Sequence, residues 1–177
     1  MTDPPVQVHF DGACEPPTGG GIATYGFTLE GPGLEHEEFG LAVPPGSERA
    51  TNNVAEYVGA IRALEFLASI NYHGPVLVFG DSQLVIRQLS GEYEVRAEHL
   101  QPYHEHLKRL VEKVGDVHFT WVPREENRRA DELSKRAISE ARHDAALRDR
   151  LSRRERGPTE VSERSAGPSG SRAGIPD

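Results

Sequence analysis

An unbroken apolar run, Val76–Phe79, lies between Gly74-Pro75 and Gly80-Asp81-Ser82. A strand with no polar member needs cover on both faces, so this one is expected to be central and parallel, within residues 74–82. Parallel neighbours cannot be joined by a hairpin. They need crossovers of a dozen or more residues, usually helical. This short stretch therefore commits the chain to strands alternating with helices.

The remaining pattern agrees. Val6, Val8 and Phe10 alternate, giving a strand over 6–10 with one apolar face that ends at Asp11-Gly12. Residues 19–33 read as a second strand, opening on glycines and closing on Gly-Pro-Gly. Residues 34–43 follow closely enough to pair with it as a hairpin. The stretch TNNVAEYVGAIRALEFL (51–67) begins a helix with the stripe Ala60, Ile61, Leu64, Leu67 and Ala68. Further helices are expected over 82–91, over 99–115 (Leu107, Leu110, Val111, Val114) and over 125–142 (Ala130, Leu133, Ala137, Ile138, Ala141). A fifth strand, 116–123, ends at Pro123. The order β-β-β-α-β-α-α-β-α gives an α/β fold with a five-stranded mixed sheet covered by helices on both faces.

One domain is expected over 1–143. Residues 144–177 read as an arginine-rich helix end, RDRLSRRER (148–156), followed by a disordered Gly/Ser/Pro tail. The plainer reading of the arginine run is a solvated helix end; the sharper is an electrostatic arm for phosphate backbones. The net charge of −8 over 177 residues advertises no polyanionic partner. A single cysteine, Cys14, suits a reducing compartment, and MTDPPVQ lacks the features of a leader peptide. A soluble, cytoplasmic monomer with no membrane segment is expected.

Glu56 lies one turn before Ala60, on the stripe meant for burial. Burying an unpaired charge costs several kcal/mol, roughly. Asp11 and Asp81 each stand at the expected C-terminal end of a strand, the edge where open α/β sheets bind ligands. Asp131 borders the buried side of the last helix, with Asn127, Ser134 and Ile138. Singly, these are ordinary turn formers or helix-dipole partners. Together they repel, by about 4 kcal/mol per pair ~4 Å apart at an effective dielectric of 20. No lysine or arginine is evidently supplied. Hard oxygen ligands with open positions suit Mg²⁺ or Mn²⁺, and four carboxylates suit two ions.

FDGACEPPTGGGIATYGF, TNNVAEY, GDSQLV and NRRADELS resemble the four signature blocks of type 1 ribonuclease H, in order, over residues 5–142. The resemblance implies sheet order 3-2-1-4-5 and an endoribonuclease that cuts the RNA strand of RNA/DNA hybrids, leaving 3′-hydroxyl and 5′-phosphate ends. It implies Asp11, Glu56, Asp81 and Asp131 as catalytic ligands of two ions, Asp11 bridging, about 4 Å apart. It assigns Gly12, Cys14, Asn52, Asn53 and Gln83 to the minor-groove side of the hybrid and Thr51 to a phosphate of the DNA strand. Helix capping is the ordinary alternative for the asparagine pair, and packing for Cys14. Most members carry a histidine in the loop before the last helix. WVPREENRRAD has none, and Arg124 or Glu125 is the candidate replacement. LSGEYEVRAEHLQPYH has acids where a basic protrusion would have lysines, and no N-terminal hybrid-binding domain is expected, as in the short archaeal and bacterial branch. Weak, salt-sensitive binding is therefore expected. The competing functions are a nuclease of other specificity on the same fold and a retired nucleic-acid-binding module.

Overall fold

The computed structural model describes residues 3–16 and 20–156, and the tail expected to be disordered lies outside them. Strands β1 (Val6–Glu15), β2 (Ile22–Gly31) and β3 (Leu34–Leu41) form an antiparallel meander. Helix α1 (Asn52–Ser69) crosses to β4 (Pro75–Gly80), and α2 (Gln83–Leu89) and α3 (Gln101–Val114) cross to β5 (Asp116–Trp121). A 3₁₀ turn, Arg124–Glu126, leads into α4 (Arg128–Arg156). The sheet order is β3-β2-β1-β4-β5, with β4 parallel to both neighbours. The mixed five-stranded sheet and its order are as expected.

Val6, Val8, Phe10, Tyr25, Phe27, Leu29, Val76 and Val78 bury one sheet face beneath α1. Helix α1 also packs against α3, which is why burial spreads beyond one stripe to Tyr57, Val58 and Ala63. Each large side chain fully buried there contributes about 1.5–3 kcal/mol. Two glycines set how closely helices approach the sheet. A Cβ on Gly12 would stand 2.3 Å from the Glu56 nitrogen, so α1 lies directly on β1. On the opposite face, a Cβ on Gly26 would stand 2.7 Å from Leu133 Cβ and 2.8 Å from the Ser134 nitrogen of α4. Gly12 pairs with Tyr25 and Asp11 with Gly26, so Asp11 shares the α4 face.

Three expectations need correction. Strand β1 does not end at Asp11-Gly12: β2 keeps pairing with it from Asp11↔Gly26 to Glu15↔Ile22. The apolar run in β4 is fully covered on one face only, since Leu77 and Phe79 are half-buried. Phe79 stacks instead on His9, ring centroids 4.9 Å apart. The last helix, expected over 125–142, runs without a break into the expected arginine-rich helix end and reaches Arg156, while the compact unit Met1–Ala141 gives way at Arg142 to a second unit. Exposed over residues 142–151, α4 is supported by the i,i+4 pair Asp149–Arg153 at 2.9 Å.

Candidate active site

Strands β1 and β4 run side by side only as far as His9↔Phe79. Asp11 and Asp81 each stand two residues beyond that last pair, where the sheet opens at its topological switch point. Glu56 reaches the same place from the first turns of α1, held close by the Gly12 contact. One ligand oxygen from each of Asp11, Glu56 and Asp81 lies within 4.8 Å of the others. Asp11 is 5% exposed and Glu56 7%, and Glu56 Oε2 is buried without a hydrogen-bond partner.

Such crowding disfavours ionisation. Burial, then the charge of Asp81, pushes the Asp11 carboxyl up to about 7, and Asp131 adds to the rise. Glu56 is raised well above the usual carboxylate range, by burial first and then by the charge of Asp11. The Gly12 backbone N–H opposes that rise. A group of raised acids with an orphaned buried oxygen fits hard divalent cations, since only a cation makes the fully ionised set favourable.

Asp131 stands beside the three-residue group, close enough to raise the Asp11 carboxyl. Here the sequence expectation fails in one respect: cations are supplied. Lys135 Nζ lies 2.9 Å from Asp131 Oδ2 and the Arg124 guanidinium 3.9 Å from Oδ1. Both partners are exposed, so their hold on the 18%-exposed Asp131 side chain is screened by water.

A family described as reverse transcriptase-like matches residues 38–137. Ribonuclease HI of Halobacterium salinarum is 36% identical over 137 residues, 77% of this chain and 65% of that protein. The crystal structure of ribonuclease H1 from the same archaeon superposes with a TM-score of 0.67 at 34% identity, covering 77% of this chain and 99% of that one. The chain belongs to the type 1 ribonuclease H family. A second ribonuclease H1, LC11, solved in complex with RNA/DNA hybrid, gives a TM-score of 0.67 at 33% identity over 77% of this chain and 98% of its own. A bifunctional protein of Mycobacterium tuberculosis is 35% identical over 98 residues, 55% of this chain. The chain spans only 27% of that relative's length.

The other sequence-derived candidates lie as follows. Thr51 is the N-cap of α1, its hydroxyl accepting from the Val54 N–H at 3.2 Å. Capping therefore does not occupy the asparagines: Asn52 is exposed and Asn53 half-buried. Gln83 is exposed in the first turn of α2, which Ser82 caps. Gly12 serves the α1 contact already described. Cys14 is buried, its thiol pointing at the carbonyls of Pro16 (3.0 Å) and Ala50 (3.1 Å), which ties β1 to the loop before α1. Burial raises that thiol further from reactivity.

Three residues that position the acids escaped sequence reasoning. Asn127, just before α4, donates from Nδ2 to the Phe10 carbonyl (2.9 Å) and to Asp81 Oδ2 (3.2 Å). The Ser134 hydroxyl, whose one proton can serve either acceptor, lies 2.9 Å from the Asp131 carbonyl and 3.3 Å from Asp11 Oδ2, while the Ser134 carbonyl accepts from the buried Thr24 hydroxyl at 2.7 Å. Trp121 donates its indole N–H to the Asp81 carbonyl at 3.0 Å. Asn127 and Ser134 are legible only as polar members of a buried helix side; nothing in the sequence signals the role of Trp121. Asn127→Ala strips the buried Phe10 carbonyl of this donor, at a cost of about 1–3 kcal/mol. Thermal melting should show that loss, and hybrid cleavage should fall because Asp81 loses its anchor.

Proposed function

We propose that this chain is an endoribonuclease that hydrolyses the RNA strand of RNA/DNA hybrids, leaving 3′-hydroxyl and 5′-phosphate ends. The observation that carries this is the meeting of Asp11, Glu56 and Asp81 oxygens within 4.8 Å, one of them buried and unpartnered. Asp11, Glu56, Asp81 and Asp131 would hold Mg²⁺ or Mn²⁺, two per site. Bound there, the ions supply a water of lowered pKa and positive charge for the departing 3′ oxygen.

The chain's own residues do the rest. Asp11 contributes from the centre of the group, and Asn127 and Trp121 fix Asp81 from its carboxylate and its carbonyl. Asp131, half-buried and on a different helix, is the ligand free to shift during turnover. Asn52, Asn53 and Gln83 offer amides that both donate and accept, the chemistry a 2′-hydroxyl requires. Gly12 would face the minor groove and Thr51 a phosphate of the DNA strand, and exposed Arg124 would stand in for the loop histidine beside Asp131. The likeness to LC11, solved with its hybrid, supports this substrate over DNA or RNA duplexes. The catalytic domain is assigned to 1–143, working as a cytoplasmic monomer. The free thiol of Cys14 is in keeping with a reducing compartment.

The test incubates the protein and Asp81→Asn with Mn²⁺ and matched hybrid, RNA duplex, DNA duplex and single strands. Hybrid-selective cutting that vanishes with Asp81→Asn is the expected result. Equal cutting of a DNA duplex, or binding with no cutting at all, would replace this function with another.

A further inference from the structure

Charge is divided unevenly along the chain. Residues 1–141 carry a net −10, whereas Arg142–Arg156 carries +3, six arginines against Asp144, Asp149 and Glu155. The division falls where the compact unit ends at Ala141. Residues 142–151 and Arg153 are exposed along the continuing helix. Its leucines, Leu147 and Leu151, are themselves exposed, so over 142–151 the helix buries little and the Asp149–Arg153 pair supports it. Ion pairing within the helix accounts for part of this charge, but an excess of +3 remains. A nucleic-acid duplex gives that excess a reason, because it is a polyanion that the compact unit's own charge repels. Two divalent cations would bring that unit only to −6.

We propose that Arg142–Arg156 is a phosphate-contacting arm that binds the backbone of the hybrid duplex and supplies affinity the acidic unit lacks. This rests on the hybrid-hydrolase function proposed above. Arginine is well matched to phosphate, since its planar fork presents two parallel N–H donors, and each phosphate it neutralises releases counterions from the duplex. Such binding carries no sequence preference, as a general hybrid nuclease requires. Covalent continuity with α4 makes binding by the arm and by the site mutually reinforcing.

The test substitutes Arg148, Arg150 and Arg153 together by Gln in the full chain. All three are exposed outside the compact unit, so its melting temperature should stay unchanged, and far-ultraviolet circular dichroism should show the helix kept despite loss of the Asp149–Arg153 pair. At ~0.1 M monovalent salt KM for hybrid should rise about tenfold with kcat unchanged. The slope of log KM against log salt should shrink by about 0.7–0.9 for each phosphate that is no longer neutralised. Binding of a fluorescent hybrid to Asp81→Asn, with and without the triple substitution, reads the arm independently of cleavage. Weaker binding on substitution supports the arm even if no preparation cuts hybrid, in which case only the activity falls. An unchanged KM, salt slope and binding would overturn the arm while leaving the nuclease standing. A lower KM would also overturn it, since the arginines would then be shielding the acidic unit from its substrate.

Discussion

Glu56→Gln is expected to cost about 10³-fold or more in hybrid cleavage and, in the same protein without metal, to raise the melting temperature. The first effect follows from removing a proposed ligand of ions that would supply several kcal/mol of transition-state stabilisation, roughly. The second follows from its surroundings. Glu56 is buried with an unpartnered Oε2, and burial and Asp11 both raise its pKa. A neutral amide of nearly the same shape avoids the charge that the folded state resists. The pH dependence has a definite sign. Asp11 moves from its ordinary 3.8 to about 7, so in that window the folded protein keeps a proton that the unfolded chain has released. Stability contributed by such raised acids is present below about pH 4 and is lost as pH climbs toward 7, by up to about 1.4 kcal/mol per pH unit per proton. Melts in chelator should therefore be higher at pH 5.5 than at pH 8. Glu56→Gln should flatten that difference. A wild-type profile that rises toward pH 8 would mean the carboxylates are not crowded.

Gly12→Ala should destabilise the protein by about 3 kcal/mol, at the upper end of overpacking costs. The added Cβ meets backbone: the Glu56 nitrogen at 2.3 Å and the Ala55 carbonyl carbon at 2.4 Å. Neither can swing aside as a side-chain tip would. Relief requires α1 to lift from β1, carrying Glu56 away from Asp11. At roughly 2–4 °C per kcal/mol for a domain of this size, the melting temperature should drop by about 10 °C. Cleavage should fall further than stability accounts for when measured well below the melting point. A variant that melts and cuts like the wild type would show that α1 does not need this close approach.

Much of this was legible in the sequence because periodicity and burial agree. The Val6-Val8-Phe10 alternation, the Val76–Phe79 run and the α1 stripe suffice for the elements, and parallel connection leaves few sheet orders. The four acids stood out because Asp11 and Asp81 end apolar strand patterns while Glu56 and Asp131 lie on or beside the buried stripe of a helix. Asp11-Gly12 misled as a strand end: Gly12 is there for helix packing, while β2 continues the ladder past it. The unbroken length of α4 was only partly legible, because burial stops at Ala141 and the residues over 142–151, Leu147 and Leu151 included, are exposed. Lys135 was overlooked as a partner for Asp131, although its spacing of four residues is a helical pairing signal. Asn127 and Trp121 act across the fold on groups distant in sequence, which no local pattern encodes.

Melting the wild type and Asp11→Asn with and without millimolar Mn²⁺ tests most directly whether divalent ions hold these acids together. Ion at about 100 times its dissociation constant stabilises the folded state by about 2.7 kcal/mol, so the wild type should gain several degrees. Asp11→Asn, deprived of the central ligand, should gain much less. Equal gains in the two proteins would contradict a shared metal site.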